Sequence, residues 1–135
     1  MRRNGFTLIE LMVVVIIIAA LAGMVLPRIL TRADEAKRNI AKGDIASITM
    51  ALKLYRLDTG TYPSTDQGLS ALQNRPASAE NWKGPYLERQ PLDPWQREYQ
   101  YQYKGSHNSQ GFDLWSLGPE EGNSDDDVTN WEADD

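Results

Sequence analysis

The sequence predicts an α+β fold in which a long N-terminal helix, half membrane and half amphipathic, packs against a small antiparallel β-sheet and loops. Three observations predict it. Residues 6–26 read FTLIELMVVVIIIAALAGMVL, 21 residues with Glu10 as the one charge. Apolar residues then recur at spacings of 3 to 5 as far as about Leu57. Further on, two runs that favour strands flank a glycine-bounded turn. A chain of 135 residues supports one core of modest size, which argues against a multidomain enzyme.

At about 1.5 Å of rise per residue the first segment makes a helix roughly 31 Å long, enough to cross the hydrocarbon core of a bilayer. A buried core helix is disfavoured, because the residues after Leu26 are too few to wrap a helix that is apolar on every face. Hydropathy leaves two readings. In a cleaved secretory signal peptide, Arg2-Arg3 is the basic n-region and Ala20-Leu21-Ala22 the small-x-small cleavage site. In a retained anchor, Arg2-Arg3 stays cytoplasmic by the positive-inside rule. Glu10 favours the anchor: a carboxylate in an apolar span costs about 2–3 kcal/mol, and the apolar core of a signal peptide does not carry one.

Pro27 lacks an N–H and clashes with the preceding turn, so it is expected to kink or locally open the helix and to divide its two halves. Arg28 and Arg32 then meet water. Ala36, Ile40, Ile45, Ile48, Leu52 and Tyr55 predict a one-faced helix, with Asp34, Lys37, Lys42, Asp44 and Lys53 between them. Gly60 and Pro63 end it. Residues 65–72 read as a brief helix started by Thr or Ser, and 75–84 as a surface loop. Residues 98–103 alternate with period two, 105–111 are turn material, and 112–116 form the second strand of a hairpin that covers the helix's apolar face. Tyr99, Tyr101 and Tyr103 fall on one face of their strand, which favours core packing over a stacking surface for sugars or bases.

The charges are unevenly placed. Residues 1–104 hold all 14 Lys and Arg against 10 acids, and residues 105–135 hold 9 acids and neither base. A nucleic-acid binder needs a basic face able to release phosphate counterions, so nucleic acid is not an expected partner. The absence of cysteine excludes disulfides, thiolate nucleophiles and Cys-based zinc sites. The single His107 excludes a His-pair metal site, and no catalytic constellation or Gly-rich phosphate loop is found, so the chain does not read as an enzyme.

The run Gly5-Phe6-Thr7-Leu8-Ile9-Glu10-Leu11-Met12-Val13 resembles the class III leader of type IV pilins and type II secretion pseudopilins. The resemblance implies that a membrane-embedded prepilin peptidase cuts between Gly5 and Phe6, that the new N-terminal Phe6 is N-methylated, and that Glu10 is the family's fifth mature residue, an acid. The chain then divides into a leader (1–5), a transmembrane and filament-core helix (6–26) and a periplasmic domain (27–135). Cleavage leaves a positive amine on Phe6, and an amine and a carboxylate in low dielectric each need an opposite charge. Glu10 of one subunit answers Phe6 of the next, which also sets axial register.

Similarity to the major pseudopilins of type II secretion extends along the chain. It is carried by Asp58-x-Gly60-x-Tyr62-Pro63, Asp66-Gln67-Gly68-Leu69-x-x-Leu72, Gly84-x-Tyr86-Leu87, Pro91-x-Asp93-Pro94-Trp95, Phe112-Asp113-Leu114-x-Ser116-Leu117-Gly118 and Asp126-Asp127-Val128-x-Asn130-Trp131. True type IV pilins usually close this end with a disulfide, which this chain cannot form. The similarity implies a pilin-like fold and a homopolymer with minor pseudopilins among its partners. An inner-membrane platform and its ATPase build that polymer, which drives folded exoproteins through the outer-membrane secretin. Before assembly the subunit is a single-pass inner-membrane protein. The competing readings are a type IV pilus subunit and a secreted, signal-cleaved, calcium-binding soluble domain.

By composition the run Glu120-Glu121-Gly122-Asn123-Ser124-Asp125-Asp126-Asp127 is a solvated acidic tail. It lacks EF-hand spacing. Major pseudopilins place a structural calcium in this loop, and the resemblance carries over the Leu117 carbonyl, an acid near Glu120, Ser124, Asp126 and Asp127 as ligands within 117–131. Hard cations take six to eight such oxygens. Glu120-Glu121 departs from the family's usual Asp-Gly, which leaves Glu120 and Glu121 as alternatives for the first carboxylate and leaves Asp125 open. Val128, Asn130 and Trp131 are expected to tie the loop to the domain. A second departure concerns charge. Major pseudopilins often look acidic where this helix has Lys53 and basic where this chain has Glu88. The double reversal suggests a retained ion pair between adjacent subunits, against the alternative of two unrelated solvated charges.

Overall fold

The computed structural model describes residues 5–131, so the Arg2-Arg3 leader and the last four residues lie outside the described part. One helix, α1 (Leu8–Thr59), carries both sequence patterns. It continues through Pro27, with the Thr31 hydroxyl donating to the Pro27 carbonyl at 3.1 Å. The chain separates into two compact units, and the division falls between Ala36 and Lys37. In the first unit every described side chain of α1 is exposed, including all the large apolar ones from Leu8 to Leu30.

In the second unit α1 buries Ala41, Ile45, Ile48, Ala51, Leu52 and Tyr55. These residues recur at helical spacing and line one side, as 100° per residue requires. Ala36 and Ile40, expected on that side, are exposed, Ile40 at 56%. Ile40 stands five residues before Ile45 and Ala36 nine, about 140° and 180° around the helix, so both turn away from the core face, while Lys37 and Arg38 beside them are half-buried. The helix is not one-faced either: Met50, Leu54 and Leu57, at i, i+4 and i+7, form an exposed apolar stripe opposite the core. Gly60 ends α1 with φ +88° and an N–H bonded to the Arg56 carbonyl at 2.8 Å, the left-handed residue that closes many helices.

Residues 64–72 open with a reciprocal cap. Ser64 Oγ accepts the Gln67 N–H at 3.2 Å and Gln67 Oε1 accepts the Ser64 N–H at 2.9 Å. The helix that follows is a single 3-10 turn, Leu69–Leu72, shorter than expected because Gly68 at φ +57° breaks the run. It buries Leu69, Ala71 and Leu72 against α1's core face. The loop at 75–84 is docked rather than free, with Ala79 buried and the Trp82 indole N–H on the Ala71 carbonyl at 2.9 Å. Tyr86 donates its hydroxyl to Asp58 at 2.8 Å and meets Tyr55 edge to face.

The sheet has three antiparallel strands in the order β1 (Gln100–Tyr103), β2 (Phe112–Ser116) and β3 (Val128–Thr129). Tyr101 opposes Leu114 and Trp115 opposes Thr129. The expected hairpin is present; β3, which had not been expected as a strand, borders β2. Tyr99 is buried and Tyr101 and Tyr103 pack on the core, as period two implied. Their hydroxyls find partners: Tyr99 donates to Asp44 at 2.8 Å and Tyr101 to the Pro63 carbonyl at 2.8 Å. Burial pushes both phenols well above the ordinary tyrosine range.

The hairpin turn is built on one buried carboxylate. Asp113 accepts the N–H groups of His107 and Asn108, each at 2.9 Å, and faces His107 Nδ1 at 3.1 Å. Gly105 lies against it, so close that a Cβ there would meet Asp113 Oδ1 at 2.2 Å. Burial pushes the Asp113 carboxyl up, but the two backbone donors and the His107 ring outweigh it and hold it below the usual carboxylate range. A depressed folded value means that this stabilisation is complete above the unfolded carboxylate range and is lost as pH falls through the folded value. The acid side of the stability curve is therefore expected to flatten in Asp113→Asn, which should also cost about 1–3 kcal/mol at neutral pH by leaving a donor unpaired. Thermal melts between pH 2 and 7 measure both effects, and an unchanged acid limb would contradict this role.

Candidate functional site

At the start of α1 the Thr7 hydroxyl accepts the Glu10 N–H at 3.3 Å, and Glu10 Oε2 accepts the Thr7 N–H at 3.4 Å. This is a capping box, in which the carboxylate satisfies a helix donor that would otherwise be orphaned. Thr7 had not been singled out, although the T-x-x-E spacing is the signal that reveals it. Phe6 is 84% exposed, and nothing lies within 4 Å of a Cβ built on Gly5, so both residues flanking the expected cut are open. The apolar part of α1 is long and apolar enough to cross a membrane, and none of it is buried within the chain.

The acidic loop is closed at its base. Gly118, at φ +64°, packs so tightly that a Cβ would lie 2.1 Å from the Asp126 carbonyl oxygen, which brings the backbone beside Leu117 up to that of Asp126. Its N–H donates to Ser116 Oγ at 3.2 Å, and Ser116 in turn donates to the buried Asp93 at 2.6 Å. Arg97 donates to the Gly118 carbonyl. Asp93 also accepts the N–H groups of Trp95 and Arg97 at 3.0 and 2.8 Å, so the Pro91-x-Asp93-Pro94-Trp95 motif buttresses the loop.

Within the loop, Ser124–Asp126 form a 3-10 turn capped by the Asn123 side chain, and the Asn123 N–H donates to the Glu120 carbonyl at 3.3 Å. Glu120, Glu121, Ser124 and Asp125 are exposed, and Leu117, Asp126 and Asp127 are half-buried. Asp126 takes the Arg38 guanidinium on Oδ1 at 2.8 Å and the Asn123 amide on Oδ2 at 2.9 Å. Arg38 lies 88 residues away in sequence, and no local pattern could have revealed it. Beyond the turn, Asn130 accepts the Leu114 N–H at 3.0 Å and donates to the Phe112 carbonyl at 3.1 Å. The Trp131 ring stacks on His107 at 4.1 Å and meets Trp115 edge to face. Residues 128–131 are therefore part of the fold, and a free tail cannot begin at Glu120.

The donor chemistry suits a hard cation: carboxylates, a hydroxyl and backbone carbonyls gathered on one loop whose ends are pinned together. A guanidinium already plays the cation's part on Asp126. Among the described residues no three His, Asp or Glu side chains converge as a metal-holding group. Lys53 and Glu88 are both exposed and border different clefts. Lys53 lies beside the hairpin turn with Thr49 and Asn108, and Glu88 beside a groove of about 600 Å³ with Asp44 and Ser47.

The family model described as "Type II secretion system (T2SS), protein G" matches residues 28–131, and that described as "Prokaryotic N-terminal methylation motif" matches residues 1–26. The chain is 48% identical to the type II secretion system core protein G of Pseudomonas aeruginosa, over 97% of this chain and 96% of that one. It is 41% identical to the protein of the same description from Pectobacterium carotovorum, over 98% and 87%. The crystal structure of the major pseudopilin from the type 2 secretion system of enterohaemorrhagic Escherichia coli is similar in fold, with a TM-score of 0.69, 34% identity and coverage of 76% of this chain and 88% of that one. With its methylation-motif helix, its three-stranded sheet and its buttressed acidic loop, the chain belongs to the type II secretion system protein G family.

Proposed function

We propose that this chain is the major structural subunit of a type II secretion pseudopilus, held in the inner membrane by α1 until it polymerises in the periplasm and drives folded exoproteins through the outer-membrane secretin. The observation that carries the reading is the unpartnered apolar surface of α1. Every large apolar side chain from Leu8 to Leu30 is exposed, and the second unit adds the stripe of Met50, Leu54 and Leu57. A bilayer can cover the first surface but not both, whereas copies of the same chain can cover each. Its partners in this reading are further copies of itself, minor pseudopilins, the prepilin peptidase, and the assembly platform with its ATPase. The role is structural, with no catalytic step. The test is the mass of the mature chain: N-methyl-Phe6 at the new terminus is expected, and a terminus at or near Gly23 would make the helix a discarded signal peptide.

Calcium is the proposed structural cofactor of the acidic loop, held by the Leu117 carbonyl, Glu120 or Glu121, Ser124, Asp126 and Asp127. When bound it supplies two positive charges to a loop rich in carboxylates. What supports this is the all-oxygen donor set on a loop closed by Gly118.

Lys53 and Glu88 are proposed to pair across adjacent subunits, since each is exposed and makes no such pair among the described residues. One exposed pair contributes only about 0–1 kcal/mol, but repeated along a filament it also selects register. Lys53→Glu and Glu88→Lys are each expected to impair assembly or secretion, with the double swap restoring it. Equal damage in the double variant would show that the two residues do not meet.

A further inference from the structure

We propose that Arg38 is a resident counter-cation of the acidic loop, holding Asp126 when calcium is absent and yielding it when calcium binds, so that one side chain of α1 sets the loop's calcium affinity. The inference rests on the calcium reading above and concerns a residue that reading does not use. Arg38 Nη2 sits 2.8 Å from Asp126 Oδ1, with the two side chains 34% and 26% exposed. The other oxygen is occupied as well, by the Asn123 amide at 2.9 Å. Asp126 thus has both oxygens engaged by donors, one of them cationic.

Charge explains why a cation is needed there. Glu120, Glu121, Asp125, Asp126 and Asp127 crowd within eight residues, and the segment from 105 onward has no Lys or Arg to offset them. Like charges on so short a loop repel, and folding it without a counter-ion is costly. The neutralising group must come from elsewhere in the fold, and α1 supplies it from Arg38. Arg97, also at the loop, donates instead to the Gly118 carbonyl and holds the base.

A guanidinium and a divalent cation compete for the same carboxylate. Each satisfies it, but together they repel, so the resident Arg38 stabilises the calcium-free loop and weakens calcium binding by the same free energy. Because Arg38 lies on α1, just past its division at Lys37, calcium occupancy changes what this part of the helix holds on to.

The test uses the full chain in detergent micelles, titrated calorimetrically with calcium chloride, and compares the wild type with Arg38→Gln. The variant is expected to bind calcium about tenfold more tightly, the order expected for removing a unit charge beside a divalent ion at a partly exposed site. It should melt earlier than the wild type in chelator and at the same temperature in saturating calcium. In the isotopically labelled wild type, calcium should also move the Arg38 Nε–H resonance towards that of a free guanidinium. Wild-type binding with unchanged or weaker affinity in Arg38→Gln, or an Arg38 resonance that ignores calcium, overturns the proposal and leaves the calcium reading standing. No binding by either protein removes both, whereas binding by the variant alone shows Arg38 excluding the ion outright.

Discussion

Glu10→Leu is expected to enter the membrane and lose its leader normally, yet yield no filaments. The substitution replaces a carboxylate that costs about 2–3 kcal/mol in an apolar span, so insertion becomes easier. With a peptidase that reads the Gly5 side of the cut, as the family resemblance implies, processing should be unaffected. Two things are lost. The first is the capping box with Thr7, worth about 1 kcal/mol of helix stability at the N-terminus. The second, in the proposed filament, is the carboxylate paired with the amine of a neighbouring Phe6; if that pair exists, its loss leaves the amine unpaired in low dielectric, a penalty of several kcal/mol per subunit interface. Capping alone predicts a mild defect and pairing predicts an absolute one. Membrane fractionation and mass spectrometry check the first two steps, and electron microscopy of filaments released from the periplasm checks the third. Filaments at wild-type yield would dispose of the pairing argument.

Removing calcium is expected to have the largest effect on stability. A ligand that binds the folded form alone adds RT ln(1 + [L]/Kd), roughly 2.7 kcal/mol at a hundredfold excess over Kd. That is a large share of the stability of a small core without disulfides. A fragment from about residue 28 onward contains the whole buried core, which begins at Ala41. It should melt several degrees earlier in chelator than in calcium. Asp127→Ala and Asp126→Ala should each abolish the difference. Asp126→Ala should in addition lower the melting temperature in chelator, because it also breaks the contact with Arg38. Equal melting temperatures with and without calcium would leave the loop as a buttressed acidic surface without a metal.

The sequence alone determined what depends on neighbours along the chain. The helix, its apolar and amphipathic halves, the hairpin and the tyrosine face follow from period 3.6 and period 2, which need no tertiary information. The N-terminal methylation motif, which includes Gly5, Phe6 and Glu10, lies in one short run and was equally legible. Ile40 was misplaced because the five-residue step from Ile40 to Ile45 turns about 140° around the helix, so a spacing of 3 to 5 is too loose to keep a residue on the core face. Only the tertiary structure decided that burial starts at Ala41, that Met50, Leu54 and Leu57 form a second apolar face, and that Gly68 cuts the second helix to one turn. The acidic loop divides the same way. Its proposed calcium donors, named through the resemblance to major pseudopilins, lie in one stretch from Leu117 to Asp127. Its supports come from Arg38, Asp93 and Arg97, distant in sequence and joined to the loop only by folding. A charged side chain carries no local mark of the partner it will meet, because the pair is selected by the packing of α1 against the sheet and loops, which brings the Arg38 guanidinium to Asp126.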